Sequence, residues 1–309
     1  MIDLTNPIFH SEAKARKWLE SQRWPEGPFC PHCGESEKTT KLNGKSHRPG
    51  LHYCRSCSQQ FTVTVGTVFE RSHVPLHKWV MASYLLCASK KGISSHQLHR
   101  MLGVTYKTAW FMTHRIREAM RESDPEPMGG DGKTVEVDET FWGKAPSVFI
   151  SGVGWQQRKG WHYKQKILTL VERGGRARSY HIAEVNSATI RPILKTQLYP
   201  DTRLMTDEAK HYHAVGKEFA SHDAVHHSIG EYVRGDAHTN CIEGYFSILK
   251  RGLVGVYQHV GPQHLKRYVC EFDFRYSTRG STDAERTQEL IRGIWGKRLT
   301  YGGPTPARA

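Results

Sequence analysis

KTVEVDETFWG, residues 133–143, decides how the second half of the chain is read. Apolar and polar residues alternate with a period of two, the pattern of a strand with one buried face, and the strand carries Asp138 near its middle. Two more strands follow in KILTLVER (166–173) and ARSYHIAEV (177–185), joined by the turn GGRA. SATIRPILKTQL (187–198) reads as a helix with Ser187 as its cap, and TRLMTDE (202–208) as a short strand ending in Asp207. Strands mixed with helices in this order imply a mixed α/β domain.

HTNCIEGYFSILKRG (238–252) supplies the next helix. At 3.6 residues per turn Ile242, Phe246, Leu249 and Leu253 form an apolar stripe, while Asn240, Glu243, Ser247 and Lys250 gather on another face. Another helix is expected in HLKRYVCEFDFRYSTR (264–279), and YGGPTPARA (301–309) reads as a loose tail. Asp138 and Asp207 thus sit on strands and Glu243 on a helix, with 35 residues between Asp207 and Glu243. Each acid alone has a bland reading as a strand end, a turn or a solvated charge. Together they are the hard oxygen donors that paired divalent cations need for phosphoryl transfer, since two such ions stabilise the attacking and leaving oxygens.

The first half has a different texture. An N-terminal helix is expected over SEAKARKWLESQ (11–22), ended by WPEGP. CPHC and CRSC then place Cys30, Cys33, Cys54 and Cys57 as two C-x-x-C knuckles with 20 residues between them, the spacing that wraps one structural zinc. FTVTVGTVF (61–69) has the β-branched alternation of a strand, and Leu76–Ser89 reads as an apolar helix. Helices near Ser95–Leu102 and Thr105–Met120, separated by Gly103, have the spacing of a helix-turn-helix or of a plain helical hairpin. On the first reading Tyr106, Lys107, Thr108, Arg115 and His114 face a DNA groove. SDPEPMGGDGK (123–133) is a linker; its GGDGK is not a phosphate-binding loop, because the required spacing is absent.

Composition sets the partner. Forty-four Lys and Arg against 30 Asp and Glu leave the 309-residue chain at +14, which favours a polyanion, nucleic acid first. No run approaches the roughly 18 apolar residues of a membrane span and no signal pattern opens the chain, so a soluble, cytoplasmic, nucleoid-associated protein is expected. The remaining cysteines, Cys87, Cys241 and Cys270, read as buried thiols. His211, His213, His222, His226, His227 and His238 have no metal-binding spacing; core packing, phosphate contacts or bonds to the acids are expected instead. Trp142 and Tyr212, beside the acids, read as core or as platforms for an unstacked base.

The order of zinc ribbon, helix-turn-helix, VEVDETFWG, MTDEAKHY, HTNCIEGYFSILKRG, GVYQHV and HLKRYVCEFDFRYSTR resembles the ISXO-like transposases of bacterial insertion sequences, in the DDE superfamily, over most of residues 20–280. The resemblance implies a ribonuclease-H-like domain that holds two Mg2+ or Mn2+ ions on Asp138, Asp207 and Glu243, with Asn240 as the alternative third residue and Lys250 beside the DNA. It implies the parts 1–70 (helix and ribbon), 71–123 (helix-turn-helix), 124–133 (linker), 134–280 (catalytic) and 281–309 (C-terminal helix and tail). It further implies binding to terminal inverted repeats, metal-dependent strand cleavage and transfer, and a homodimer or larger assembly on DNA. Arg251, Lys266 and Arg267 would grip the backbone. A non-catalytic regulator, and a nuclease or resolvase that cuts without joining, are the rival readings.

Overall fold

A computed structural model describes residues 3–144, 147–226, 229–231 and 233–300. The chain forms two compact units, one from residues 1–122 with 280–309 and the other from residues 123–279. The tail at 301–309 lies outside the described residues, as does His227.

The first unit begins with α1 (Glu12–Arg23), whose N-terminus is capped by Ser11 and whose buried face holds Ala15, Leu19 and Arg23. Three short antiparallel strands follow in the order β1 (Thr39–Lys41), β2 (His52–Cys54), β3 (Gln59–Phe61). The strand expected over residues 61–69 is corrected: only Phe61 belongs to β3, and the rest coils through turns. Gly66 takes a φ of +71° and the Thr67 hydroxyl donates to the Thr64 carbonyl, so local bonds shape the run and its pairing shrinks to an isolated bridge from Thr67 to Trp295. The apolar residues of the run, Val63, Val68 and Phe69, are buried all the same. Then come α2 (Leu76–Ala88), α3 (Ser95–Leu102) and α4 (Tyr106–Met120). Gly103 ends α3 in the left-handed region at φ +59°, and Thr105 caps α4, which makes the tight turn between them.

The second unit is built on a five-stranded sheet. Its elements are β4 (Thr134–Trp142), a hairpin of β5 (Ser147–Ile150) and β6 (Gly154–Gln157), β7 (Gln165–Glu172), β8 (Ala177–Ile182), α5 (Ser187–Gln197), β9 (Arg203–Asp207), α6 (Lys210–Gly216) and β10 (Ser221–Val225). After a small ribbon of β11 (Val233–Arg234) and β12 (Ala237–His238) come α7 (Asn240–Gly252), a π-helical turn at Leu253–Tyr257 and α8 (Pro262–Ser277). The sheet order is β10-β9-β4-β7-β8, antiparallel among β4, β7 and β8 and parallel among β4, β9 and β10. This is the ribonuclease-H-like arrangement. Period-two alternation sends Val135 and Val137 toward α5 and α6, where they join Ile190, Leu194 and Val215. The opposite face meets α7 and α8 through Ile167, Ile242, Phe246, Leu249 and Phe272.

Two local readings change. The cap of α5 is Asn186, whose Oδ1 accepts from Thr189 N at 2.9 Å; Ser187 is the first helical residue and donates to the His211 carbonyl instead. The segment read as a linker is docked from Met128 onward. Met128 is buried and bridges to Leu198, and Gly129 holds φ +80° with no room for a side chain against Thr202.

After leaving the sheet unit the chain returns to the first one as α9 (Asp283–Arg292), which opens with a capping box between Thr282 and Glu285. Arg286 donates to the Cys87 carbonyl at 2.8 Å and Lys297 to the Ala119 carbonyl at 3.0 Å, so residues 280–300 complete the core of the N-terminal unit.

Candidate active site

The three acids are placed by separate local rules. The pairing of β4 with β9 sets Thr134 beside Arg203 and Glu136 beside Met205; continued by two residues, the same register brings Asp138 level with Asp207. Asp207 ends β9, where its carboxylate accepts from Ala209 N at 3.1 Å. Glu243 lies in the first turn of α7, exposed, with Thr239 donating to it at 3.2 Å. Asp138 feels all of them. Burial raises its carboxyl well above the ordinary range, and the charges of Glu139, Asp207 and Glu243 push the same way. Asp207 is also raised, first by burial and then by Glu139 and Glu208. Neither Asp138 nor Asp207 has a Lys or Arg within ion-pair distance among the described residues.

Such a site is short of positive charge. Half-buried carboxylates that repel one another and have no Lys or Arg in ion-pair distance fit hard divalent cations, which bind oxygen and relieve the repulsion. Asp138, Asp207 and Glu243 do not gather into a group of metal-holding distance; among the described residues only the four cysteines do.

Side chains that sequence reading did not single out hold this geometry. Glu136 lies two residues before Asp138 on the same strand face and is fully buried. Its carboxylate accepts from Arg173 Nε at 2.8 Å and from Ile242 N, in the first turn of α7, at 3.0 Å. His238 Nδ1 stands 3.3 Å away. Arg173 also donates to Asp236 and to the His238 carbonyl, which pins the β12–α7 junction to β7. A negative charge at a helix N-terminus is favourable, so Glu136 both caps α7 and anchors it to β4. On the opposite strand face Glu139 meets His211 Nε2 at 2.6 Å. Tyr212, fully buried, is held well above its ordinary range by burial and by Glu139 and Asp138. The alternation of VEVDE made Glu136 a companion of Asp138 in principle; Arg173, 37 residues away, left no local signal.

The expected apolar stripe of α7 is in place, with Ile242, Phe246, Leu249 and Leu253 buried. Tyr245 joins them, its hydroxyl donating to Asp273 at 2.6 Å. Lys250 is exposed on the other face, its Nζ 5.9 Å from the Phe246 ring centre, and Asn240 is the first, exposed residue of the helix. Arg251 and Lys266 are exposed and Arg267 is half-buried. The histidines near the acids bond to protein groups: besides His211 and His238, His222 Nε2 lies 2.9 Å from the Thr206 hydroxyl. Tyr212 is core, which removes it as a base platform, and Trp142 packs against the α7–α8 core.

In the helix-turn-helix Tyr106 and Lys107 are exposed at the start of α4, with Thr108 beside the cap. Arg115 and His114 are corrections. Arg115 is buried, donates to the Glu70 carbonyl at 2.6 Å and lies over Trp79 and Phe111, while His114 is buried against Trp110. Both sit on the inward stripe of α4, which rotates them away from any groove.

The cysteine knuckles close into one cluster. Cys30 and Cys57 lie 3.6 Å apart, as do Cys33 and Cys54, and all four sulfurs fall within 4.8 Å of one another, the one such group among the described residues. A tetrahedron with Zn–S bonds of ~2.3 Å has edges of about 3.8 Å, so the cluster fits a structural zinc with no open position.

Comparison with known proteins agrees with this architecture. Residues 129–277 match the ISXO2-like transposase domain, and residues 10–60 match the transposase zinc-ribbon domain. An uncharacterized protein in transposable element ISH50 of Halobacterium salinarum is 30% identical over 280 residues, covering 86% of this chain and 91% of that protein. A crystal structure of the mariner Mos1 paired end complex with Mg aligns over 94% of both chains at 13% identity and a TM-score of 0.24, a likeness too slight to carry an argument. No helix among the described residues is long and apolar enough to cross a membrane. With a four-cysteine cluster in its zinc-ribbon match, a ribonuclease-H-like sheet in its transposase-domain match and a relative 30% identical over most of both chains, this protein belongs to the ISXO2-like transposases.

Proposed function

We propose that this transposase binds the terminal inverted repeats of its insertion sequence, cuts the DNA there and joins the freed 3′ ends to a target. The observation that supports the reading is the pair Asp138 and Asp207, two residues beyond the paired stretch of neighbouring strands, half-buried and with no Lys or Arg in ion-pair distance, their carboxyls raised by burial and by neighbouring acids, with Glu243 adding to the field at Asp138. Asp138, Asp207 and Glu243 would hold the divalent cations, Mg2+ or Mn2+, with Asn240 the alternative to Glu243. When bound, the ions supply Lewis-acid stabilisation of the attacking and leaving oxygens.

The chain's own groups do the rest. Glu136 and Arg173 keep α7 docked, so that Glu243 is presented toward Asp138. Lys250, one face of α7 away from the apolar stripe, offers an ammonium to a DNA phosphate, and Arg251, Lys266 and Arg267 extend that contact. Tyr106, Lys107 and Thr108 at the start of α4 meet the repeat, where a second helix of a helix-turn-helix reads base edges. Cleavage breaks one phosphodiester with water and leaves a 3′ hydroxyl; transfer breaks one target phosphodiester as that hydroxyl attacks, so one bond forms for each bond broken. Two ends joined in one event require at least two chains acting together.

The test is cleavage and joining of duplexes that carry the element ends, with Mg2+, comparing wild type and Asp207→Asn. Loss of both steps in the variant supports the reading. Equal inactivity of both proteins, with binding retained, favours a regulator, and cutting without any joined product favours a nuclease or resolvase.

A further inference from the structure

Between β4 and β7, neighbours in the five-stranded sheet, the chain makes an excursion whose strands pair only with each other. After β4 ends at Trp142, residues 147–157 form the β5–β6 hairpin, and the chain returns to β7 at Gln165, which pairs with Trp142. The hairpin displays large apolar side chains: Phe149 is 63% exposed, Val153 61%, Trp155 74% and, just after it, Trp161 56%. Phe149 and Trp155 are cross-strand partners on one face, with ring centres 5.7 Å apart. An isolated two-stranded hairpin is marginal in water, so an aromatic face held out in this way calls for a cover.

Charge identifies the cover. The segment contains Lys144, Arg158, Lys159 and Lys164 and not one Asp or Glu. Aromatic faces set among cations and free of acids match a nucleic-acid strand, whose bases stack and whose phosphates pair with the cations. A protein partner would gain from the apolar rings but would leave four cations without a role.

Position agrees. β4 and β9 are parallel, so the hairpin emerges at the end of the sheet where β9 delivers Asp207. From Asp138 to Trp142 is four residues of strand, roughly 13 Å at 3.3 Å per residue, and the hairpin reaches about as far again. At 3.4 Å per nucleotide that distance is about four to eight nucleotides of DNA.

We infer that the β5–β6 hairpin is a second DNA contact of this transposase, with Trp155 and Phe149 stacking on bases about four to eight nucleotides from the scissile phosphate and Arg158 and Lys159 on the flanking phosphates. The inference rests on the transposase reading and adds an element to it.

The full chain is mixed with an element-end duplex bearing a single 5-iodouracil, moved one position at a time, and irradiated; cross-linked peptides are then mapped. The expected result is a cross-link to the peptide holding Phe149 and Trp155 within that window. Trp155→Ala should abolish it and weaken binding about 5- to 150-fold. An exposed substitution of this kind leaves the fold intact, which the thermal melt checks. Arg158→Ser with Lys159→Ser should lower the slope of log affinity against log salt by about two. Cross-links confined to the helix-turn-helix and α7 overturn the hairpin contact and leave the transposase reading standing. No cross-link to any peptide overturns both. Unchanged DNA affinity in Trp155→Ala, together with a change in the mass of the assembly, overturns the proposal in favour of a second copy of the chain.

Discussion

Glu136→Ala is the sharpest test of how the third acid is positioned. The carboxylate is fully buried and receives Arg173 Nε at 2.8 Å and Ile242 N at 3.0 Å. Removing one partner of a buried ion pair costs about 3–5 kcal/mol, because the other charge is left in a poor medium. Arg173 keeps its bonds to Asp236 and to the His238 carbonyl, so the loss falls at the lower end, about 3 kcal/mol. With a urea slope of about 2 kcal/mol/M the midpoint for the sheet unit drops by about 1.5 M. Hydrogen exchange should locate the loosening in the first turns of α7. The double variant with Arg173→Met should lose less than the sum of the single losses, by about 0.5–3 kcal/mol. Function follows the same path: a shift of α7 by about 1 Å would slow cleavage on the order of 100-fold, and Glu136→Gln, which retains an acceptor for Ile242 N–H, should recover part of it. A loss below about 0.5 kcal/mol, the range of an ordinary surface change, would refute the anchoring role, as would strict additivity with Arg173→Met.

Burial and neighbouring acids raise Asp138 and Asp207, so the native state holds their protons to higher pH than the unfolded chain does. Their contribution to metal-free stability is present below the unfolded carboxylate value of about 4 and is lost as pH rises through the raised native values. Thermal melts against pH should show that fall, Asp138→Asn should flatten it, and Mg2+ should stabilise wild type at neutral pH but not the variant. Metal analysis should find one zinc per chain, lost in Cys54→Ser, with the melt of the N-terminal unit lowered; the Cys57 N–H already draws the Cys54 thiol down to about 7. Arg115→Ala should destabilise that unit by about 2–3 kcal/mol through its lost carbonyl bond and ring contacts, whereas Lys107→Ala should lower the salt slope of DNA binding by about one.

The one-dimensional pattern was enough for whatever depends on neighbours along the chain. The two knuckles, the helix starts near Ser11 and Thr105, the turn at Gly103, the alternating strand through Asp138 and the apolar stripe of α7 follow from spacing and period, because each is made within a few residues. The same locality explains the errors. FTVTVGTVF satisfies strand periodicity, yet the chain turns at Gly66, makes only an isolated bridge from Thr67 to Trp295, and buries Val63 and Val68 from turns. Arg115 reads as a groove-facing cation until packing turns its side of α4 inward. Only tertiary structure decided that residues 280–300 close the N-terminal unit, that Glu136 and Arg173 tie β4 to α7, and that Tyr212 is core while Trp155 is exposed. These outcomes depend on which surfaces meet across tens to hundreds of residues, and a linear period carries no information about its partner.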